Sequence, residues 1–169
     1  MLSKWYAVPA VLLSSLAIAG CGGDDASVDI CEGKELIPHL SPVSLGEFSA
    51  SQTPFQWNLV LHSPCDEAVT ISEACLVGDN VGEFVMEGPD RMVASRDRNS
   101  VVRLTYERSS AAEQDDIALV VQSDADNAPT LVVPICARVV DGSPSDESLE
   151  CDSPVAIPSE GEQVDGLCS

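Results

Sequence analysis

Phe55-Gln56-Trp57-Asn58-Leu59-Val60-Leu61-His62 is the stretch that decides the fold. Phe55, Trp57, Leu59 and Leu61 take one set of alternate positions, and Gln56, Asn58, Val60 and His62 take the other. A period of two puts one set on a core and the other on the opposite side, which is how a strand with one buried face reads. The same period returns along the chain. Val102, Leu104 and Tyr106 alternate with Arg103 and Thr105, and Ile117, Leu119 and Val121 with Ala118, Val120 and Gln122. Leu131, Val133, Ile135, Ala137 and Val139 alternate with Val132, Pro134, Cys136, Arg138 and Val140. Turn-forming clusters punctuate these runs at His62-Ser63-Pro64, Gly78-Asp79-Asn80, Gly88-Pro89-Asp90 and Asp124-Ala125-Asp126-Asn127. Short strands at this spacing, with no convincing helical stretch after the N-terminus, predict an all-β sandwich over residues 35–140. Trp57 falls in the apolar series of its strand and is expected in the core rather than on a ligand-stacking surface.

The flanks read differently. Lys4 is the only charge in the first 23 residues, and an apolar run follows from Ala7 to Ala19. Thirteen residues fall short of the roughly 20 that a membrane-spanning helix requires. A positive start, a short apolar centre and small residues at its end mark a secretory signal over residues 1–20. Ile18-Ala19-Gly20-Cys21 resembles the lipobox of bacterial lipoprotein precursors. That resemblance implies a diacylglycerol on the Cys21 thiol, cleavage before Cys21 and a lipid anchor in the cell envelope. Gly22, where an inner-membrane retention signal often has Asp, implies the outer membrane. Two or three acyl chains are needed for stable anchoring, because one chain holds only marginally. Residues 21–34 then form a polar tether, and the free stretch 22–30 reaches about 15–20 Å as a flexible coil.

Residues 141–169 carry eight acids and no base, with Ser, Pro and Gly filling much of the rest. Such a segment has little apolar surface to set against its ordering entropy. It is expected to be a low-order tail separate from the sandwich. Without residues 1–20 the chain holds 28 acidic residues against 7 basic ones, a net charge of −21. That argues against nucleic acid, which calls for a basic face, and against a polybasic contact with anionic lipid.

Setting Cys21 aside leaves Cys31, Cys65, Cys75, Cys136, Cys151 and Cys168. An even number in an exported chain implies disulfides, and six cysteines allow 15 pairings. No close pair of Cys or Cys/His spacing suggests zinc. Strand direction favours Cys31–Cys65, since the start of a first strand lies beside the end of an antiparallel second. It also places Cys75 and Cys136 toward one end of parallel strands and so favours a Cys75–Cys136 bridge, which leaves Cys151–Cys168 as a bridge within the tail.

The strand pattern over about residues 40–140 resembles the Hydin-like ASH domains and the related modules of bacterial choice-of-anchor D surface proteins. The likeness lies in the opening Pro42-Val43-Ser44-Leu45-Gly46-Glu47-Phe48, in Phe84 after the third strand and in Val101–Tyr106 ending on an aromatic. It continues in the turn Gln122–Asp126 and the closing strand Val132–Val140. Where that family usually has Pro shortly after the aromatic, this chain has Arg108. The resemblance implies an immunoglobulin-like interaction module and supplies no catalytic residue.

Residue chemistry points the same way. His39 and His62 are the two histidines, both near turn residues, and no Gly-x-Ser-x-Gly elbow is present. The expectation is a non-enzyme without a cofactor, acting as a protein-binding or scaffolding lipoprotein with an envelope protein as partner. The alternative is a cation- or small-ligand-binding accessory protein, in which the acidic tail and the oxygen ligands of the Asp124–Asn127 turn, Asp124, Asp126 and Asn127, capture cations. Calcium takes six to eight oxygens, so a plain turn whose side chains bond nearby amides is the simpler reading of that segment.

Overall fold

The computed structural model describes residue 31 and residues 33–168, and Cys21 with the signal before it and the stretch 22–30 after it lies outside the described residues. Among the described residues, nine strands form two stacked sheets of an immunoglobulin-like β-sandwich. They are β1 (Ile37–Pro38), β2 (Val43–Ser49), β3 (Phe55–His62), β4 (Val69–Val77), β5 (Phe84–Glu87), β6 (Val93–Ala94), β7 (Ser100–Tyr106), β8 (Asp115–Ser123) and β9 (Thr130–Val140). One sheet has the order β1-β3-β7-β5 and the other β2-β9-β8-β4-β6. All neighbours are antiparallel except β2 and β9. The alternating sets define the inner layer as expected: Leu59, Leu61, Val102, Leu104 and Tyr106 from one sheet meet Val69, Ile71, Ile117, Leu119, Val121, Val133 and Ile135 from the other. Trp57 belongs to this series but is only half-buried. The two-residue β1 pairs with Leu61 and His62 and stops short of Trp57, whose ring instead stacks on His39 with 5.3 Å between centroids.

At the end where β7 finishes and β8 begins, a polar cluster ties the two sheets together. The Tyr106 ring is fully buried and packs between Phe48 and Phe84. Its hydroxyl donates to Asp115 Oδ2 at 2.6 Å. Arg108 donates to both oxygens of the same carboxylate, at 2.5 and 2.7 Å. Arg108 thus supplies a bidentate partner for a carboxylate that is 1% exposed. Burial, and then the Asp115 carboxylate beside it, push the Tyr106 phenol well above its ordinary range.

The tail departs from expectation. It contains no strand or helix over 141–168, yet it packs across the outer face of the five-stranded sheet. On that face Ala118, Val120 and Val132 are buried under Val155, Leu167 and Cys168, with Cys75 and Val77 alongside. The reason is visible in β8 and β9, whose outward positions are nearly as apolar as their inward ones. Strands apolar on both faces require cover on both. Polar groups set the path of the tail. Ser44 Oγ accepts from Leu149 N–H, Asp116 from Asp152 N–H, and Thr130 Oγ1 from Val164 N–H. The acids of the tail, such as Asp146, Glu147, Glu160, Glu162 and Asp165, stay exposed.

The disulfides follow from this cover. Cys31–Cys65 forms as expected, whereas the other two bridges are Cys75–Cys168 and Cys136–Cys151. Cys75 and Cys136 do lie on parallel strands and share the outer face, but β8 runs between them. Two strand spacings of about 4.8 Å put them beyond the roughly 7 Å a bridge allows. Each therefore pairs with the tail segment crossing above it.

Two results are expected. Non-reducing peptide mapping should find Cys168 linked to Cys75. Replacing both with Ala should cost about 2–5 kcal/mol of stability in chemical denaturation. Tyr106→Phe should report on the polar cluster. The phenol is raised in the folded state, so the unfolded chain loses its proton near pH 10 while the folded chain keeps it. Stability therefore falls as pH rises above about 10, and the Phe variant, measured by denaturant midpoints, should lose that part of the alkaline decline.

Candidate interaction face

The outer face of the four-stranded sheet contrasts with its roofed counterpart. Register lines up Gln56, Thr105 and Val85 in one row and Asn58, Arg103 and Glu87 in the next. Val60 pairs with Val101, and Ile37 with His62. Their chain neighbours on either side point into the core, so these residues form the outward surface. Gln56, Asn58, Arg103, Val85 and Glu87 are exposed, and among the described residues no segment covers this face as the tail covers the other. Arg103 Nη1 holds Glu87 at 2.7 Å across the strands. A groove of ≈ 340 Å³ runs beside them, lined by Glu87, Gly88, Asp90, Val101 and Arg103. Gly88 has φ +104, and a Cβ there would press on the Val101 carbonyl oxygen at 2.8 Å. Only glycine lets Asp90 return to Val101, whose N–H donates to Asp90 Oδ1 at 2.8 Å and whose carbonyl accepts from Asp90 N–H.

The other feature lies where the N-terminal segment joins the sandwich. Asp124, Asp126 and Asn127 come together on the β8–β9 turn, and the protein itself occupies their oxygens. Asp124 takes Thr70 N–H and Lys34 Nζ, at 2.6 and 2.5 Å. Asp126 takes Lys34 N–H at 2.8 Å, and Asn127 Oδ1 takes Leu36 N–H at 2.9 Å. The turn is thus a dock for residues 33–36, reached across more than 90 residues of chain, rather than a set of free cation ligands. Burial alone would raise the Asp124 pKa, but the Lys34 and Thr70 hydrogen bonds outweigh it and hold the carboxyl below its usual range. Gly33, at φ +90, sits so close to the Asp126 carboxylate that a Cβ would collide with it. Cys31 and Cys65 bring their sulfurs near Glu35, but the two sulfurs are joined in a disulfide and are not free ligands.

The histidines are placed structurally. His39 Nδ1 accepts Val60 N–H at 2.9 Å while its ring stacks on Trp57. His62 is half-buried opposite Ile37 in the sheet. Sequence reading missed two features of the site: the bare outer face as distinct from the roofed one, and the docking role of the Asp124–Asn127 turn. The signal for the first was present in the continuous apolar runs of β8 and β9 against the clean alternation of β3 and β7.

No protein-family model matches the chain, and no curated protein matches it in sequence. Similar solved structures include a protein of unknown function from Porphyromonas gingivalis W83, with TM-score 0.51 and 8% identity over 62% of this chain and 46% of that one. Another is the secreted serine protease VesC from Vibrio cholerae, with TM-score 0.50 and 14% identity over 72% of this chain and 26% of that one. The chain spans less than half the length of either neighbour. Likeness at this identity shows the shared sandwich fold alone.

The docking turn has two expected signatures. Gly33→Ala should destabilise the N-terminal segment by about 1–2 kcal/mol through the left-handed backbone alone, and amide exchange at Lys34 and Leu36 should quicken. Asp124 has a depressed pKa, so its contribution is present above the ordinary carboxylate range and is lost as pH falls through the lowered value. In an NMR titration the Thr70 amide should therefore shift with a midpoint below about 3.9.

Proposed function

We propose that this chain is a lipoprotein anchored through Cys21 in the outer membrane of a bacterial envelope. There it acts as a non-catalytic, immunoglobulin-like module that binds another envelope protein. The ASH-like strand pattern of the sequence supports an interaction role, and the lipobox-like Ile18–Cys21 supports the anchor. The observation that carries the binding reading is the unequal cover of the two sheets. A chain that devotes its tail and two disulfides to roofing one apolar face leaves the other face open, with Val60, Val101 and Val85 among polar side chains. Mixed apolar and polar surface on a rigid sheet suits a protein partner, since bulk hydrophobicity does not distinguish such interfaces. The part of the cation-binding alternative that rests on the Asp124–Asn127 turn loses support, because four of its oxygens already accept bonds from the chain.

Cys21→Ser should leave the protein unlipidated and move it from the membrane to the soluble fraction, and unchanged fractionation would refute the anchor. Thr105→Arg, in the middle of the open face, should abolish cross-linked capture of a recurrent envelope protein while leaving the unfolding free energy, from chemical denaturation, within about 0.5 kcal/mol of wild type. Capture that survives Thr105→Arg but is lost on substitution of exposed tail residues would move the binding surface to the roofed side.

A further inference from the structure

Seven basic residues remain after residue 20, and Arg91, Arg96 and Arg98 bring three of them into one short segment. Structure places that segment at the end of the sandwich where residues 33–36 dock. β6 pairs with Val69 and Thr70, and Thr70 in turn contacts the Asp124 that docks Lys34. A tight hairpin follows, closed by reciprocal Ser95 and Arg98 backbone bonds at 2.8 and 3.0 Å. Arg96 at its tip donates to the Pro64 carbonyl at 3.0 Å and pairs with Asp66 at 2.7 Å. Between these two partners stands Cys65, bridged to Cys31. Only nine residues, 22–30, separate Cys31 from Cys21. Beside the arginines, Met92 and Val93 are each 43% exposed, two of the large apolar side chains the fold leaves uncovered.

We propose that residues 91–98 form a membrane-contact hairpin: Met92 and Val93 enter the interfacial layer while Arg91 and Arg98 meet anionic lipid headgroups. This rests on the Cys21 anchor proposed above. Charge complementarity and tether length choose the occupant. The net charge opposes lipid contact for the molecule as a whole, but the one short segment with three arginines lies beside the Cys31–Cys65 bridge, ten residues along the chain from Cys21, and an anionic surface attracts bases held within about a Debye length of it. Asp90, Asp97, Glu67 and the Asp66 partner of Arg96 offset much of the arginine charge, so the contact orients an already anchored domain rather than recruiting it. The hairpin end then faces the lipid, and the Tyr106–Asp115 end projects away from it.

Met92 is its own reporter, with the half-buried, inward-facing Met86 as internal reference. The lipidated protein is reconstituted in phosphatidylglycerol or phosphatidylcholine vesicles, and the Cys21→Ser protein is kept in solution. Methionine oxidation is followed by peptide mass spectrometry, together with the mass of the Cys21 peptide. Met92 should oxidise several-fold more slowly in phosphatidylglycerol vesicles than in solution, with Met86 unchanged. Arg91→Glu with Arg98→Glu should reverse most of that protection, because each base near an anionic surface contributes roughly fivefold. A lipidated Cys21 with Met92 oxidised equally fast in all three settings overturns the hairpin contact and leaves the anchor standing. A Cys21 without lipid overturns both. Protection of Met92 in the soluble protein that grows with its concentration would assign the hairpin to contacts between copies and refute the lipid contact.

Discussion

The structure depends on the need to cover β8 and β9 on both sides. Ile117, Leu119, Val133 and Ile135 point into the sandwich, and Ala118, Val120 and Val132 point away from it, yet both sets are almost fully shielded from water. At about 25 cal/mol for each Å² of apolar surface removed from water, leaving the outer set bare would give up several kcal/mol in a fold whose net stability is typically only about 5–15 kcal/mol. The tail has few apolar residues of its own, so Val155 and Leu167 make a thin roof. Two disulfides hold it where burial alone would be marginal. A bridge closing about 15 residues removes roughly 3 kcal/mol of unfolded-state entropy, and a loop near 100 residues closer to 5 kcal/mol. Cys136–Cys151 and Cys75–Cys168 correspond to these two regimes.

The two ends of the sandwich are closed by different chemistry. At one end the buried Asp115 receives Tyr106 and Arg108, so a charge taken out of water has its lone pairs filled. At the other end Asp124, Asp126 and Asn127 are more exposed and hold the backbone of the incoming segment. The first arrangement resists sliding of one sheet over the other. The second fixes where the N-terminal segment leaves the domain, and with Cys31–Cys65 it sets which end of the molecule lies near the proposed anchor.

The proposed function rests on asymmetry. One face is committed to the chain's own tail, and one end to its own N-terminal segment. What remains for a partner is the outer face of β1, β3, β7 and β5, a rigid surface framed by the Arg103–Glu87 pair. The groove beside it exists because Gly88 permits Asp90 to fold back on Val101. This supports recognition as the proposed role, and the His39 ring is taken up by the Val60 N–H and by Trp57.

The sequence by itself determined the sandwich, because side-chain alternation is local: Phe55–His62 and Ser100–Tyr106 announce their inner and outer sets whatever surrounds them. It also determined that six cysteines would pair and that residues 141–168 would form no regular element. Tertiary structure decided the partners. Cys75 and Cys136 are separated by β8 only once the strand order is known, and nothing in the local composition of an acidic segment says that it will lie on Val120 and Val132. Trp57 keeps its place in the apolar series but lies half-open, because the two-residue β1 ends before reaching it. Asp124, Asp126 and Asn127 likewise look the same in sequence whether they face a cation or the chain. What they hold depended on Lys34 and Leu36 arriving from some 90 residues away, a long-range pairing that periodicity does not encode.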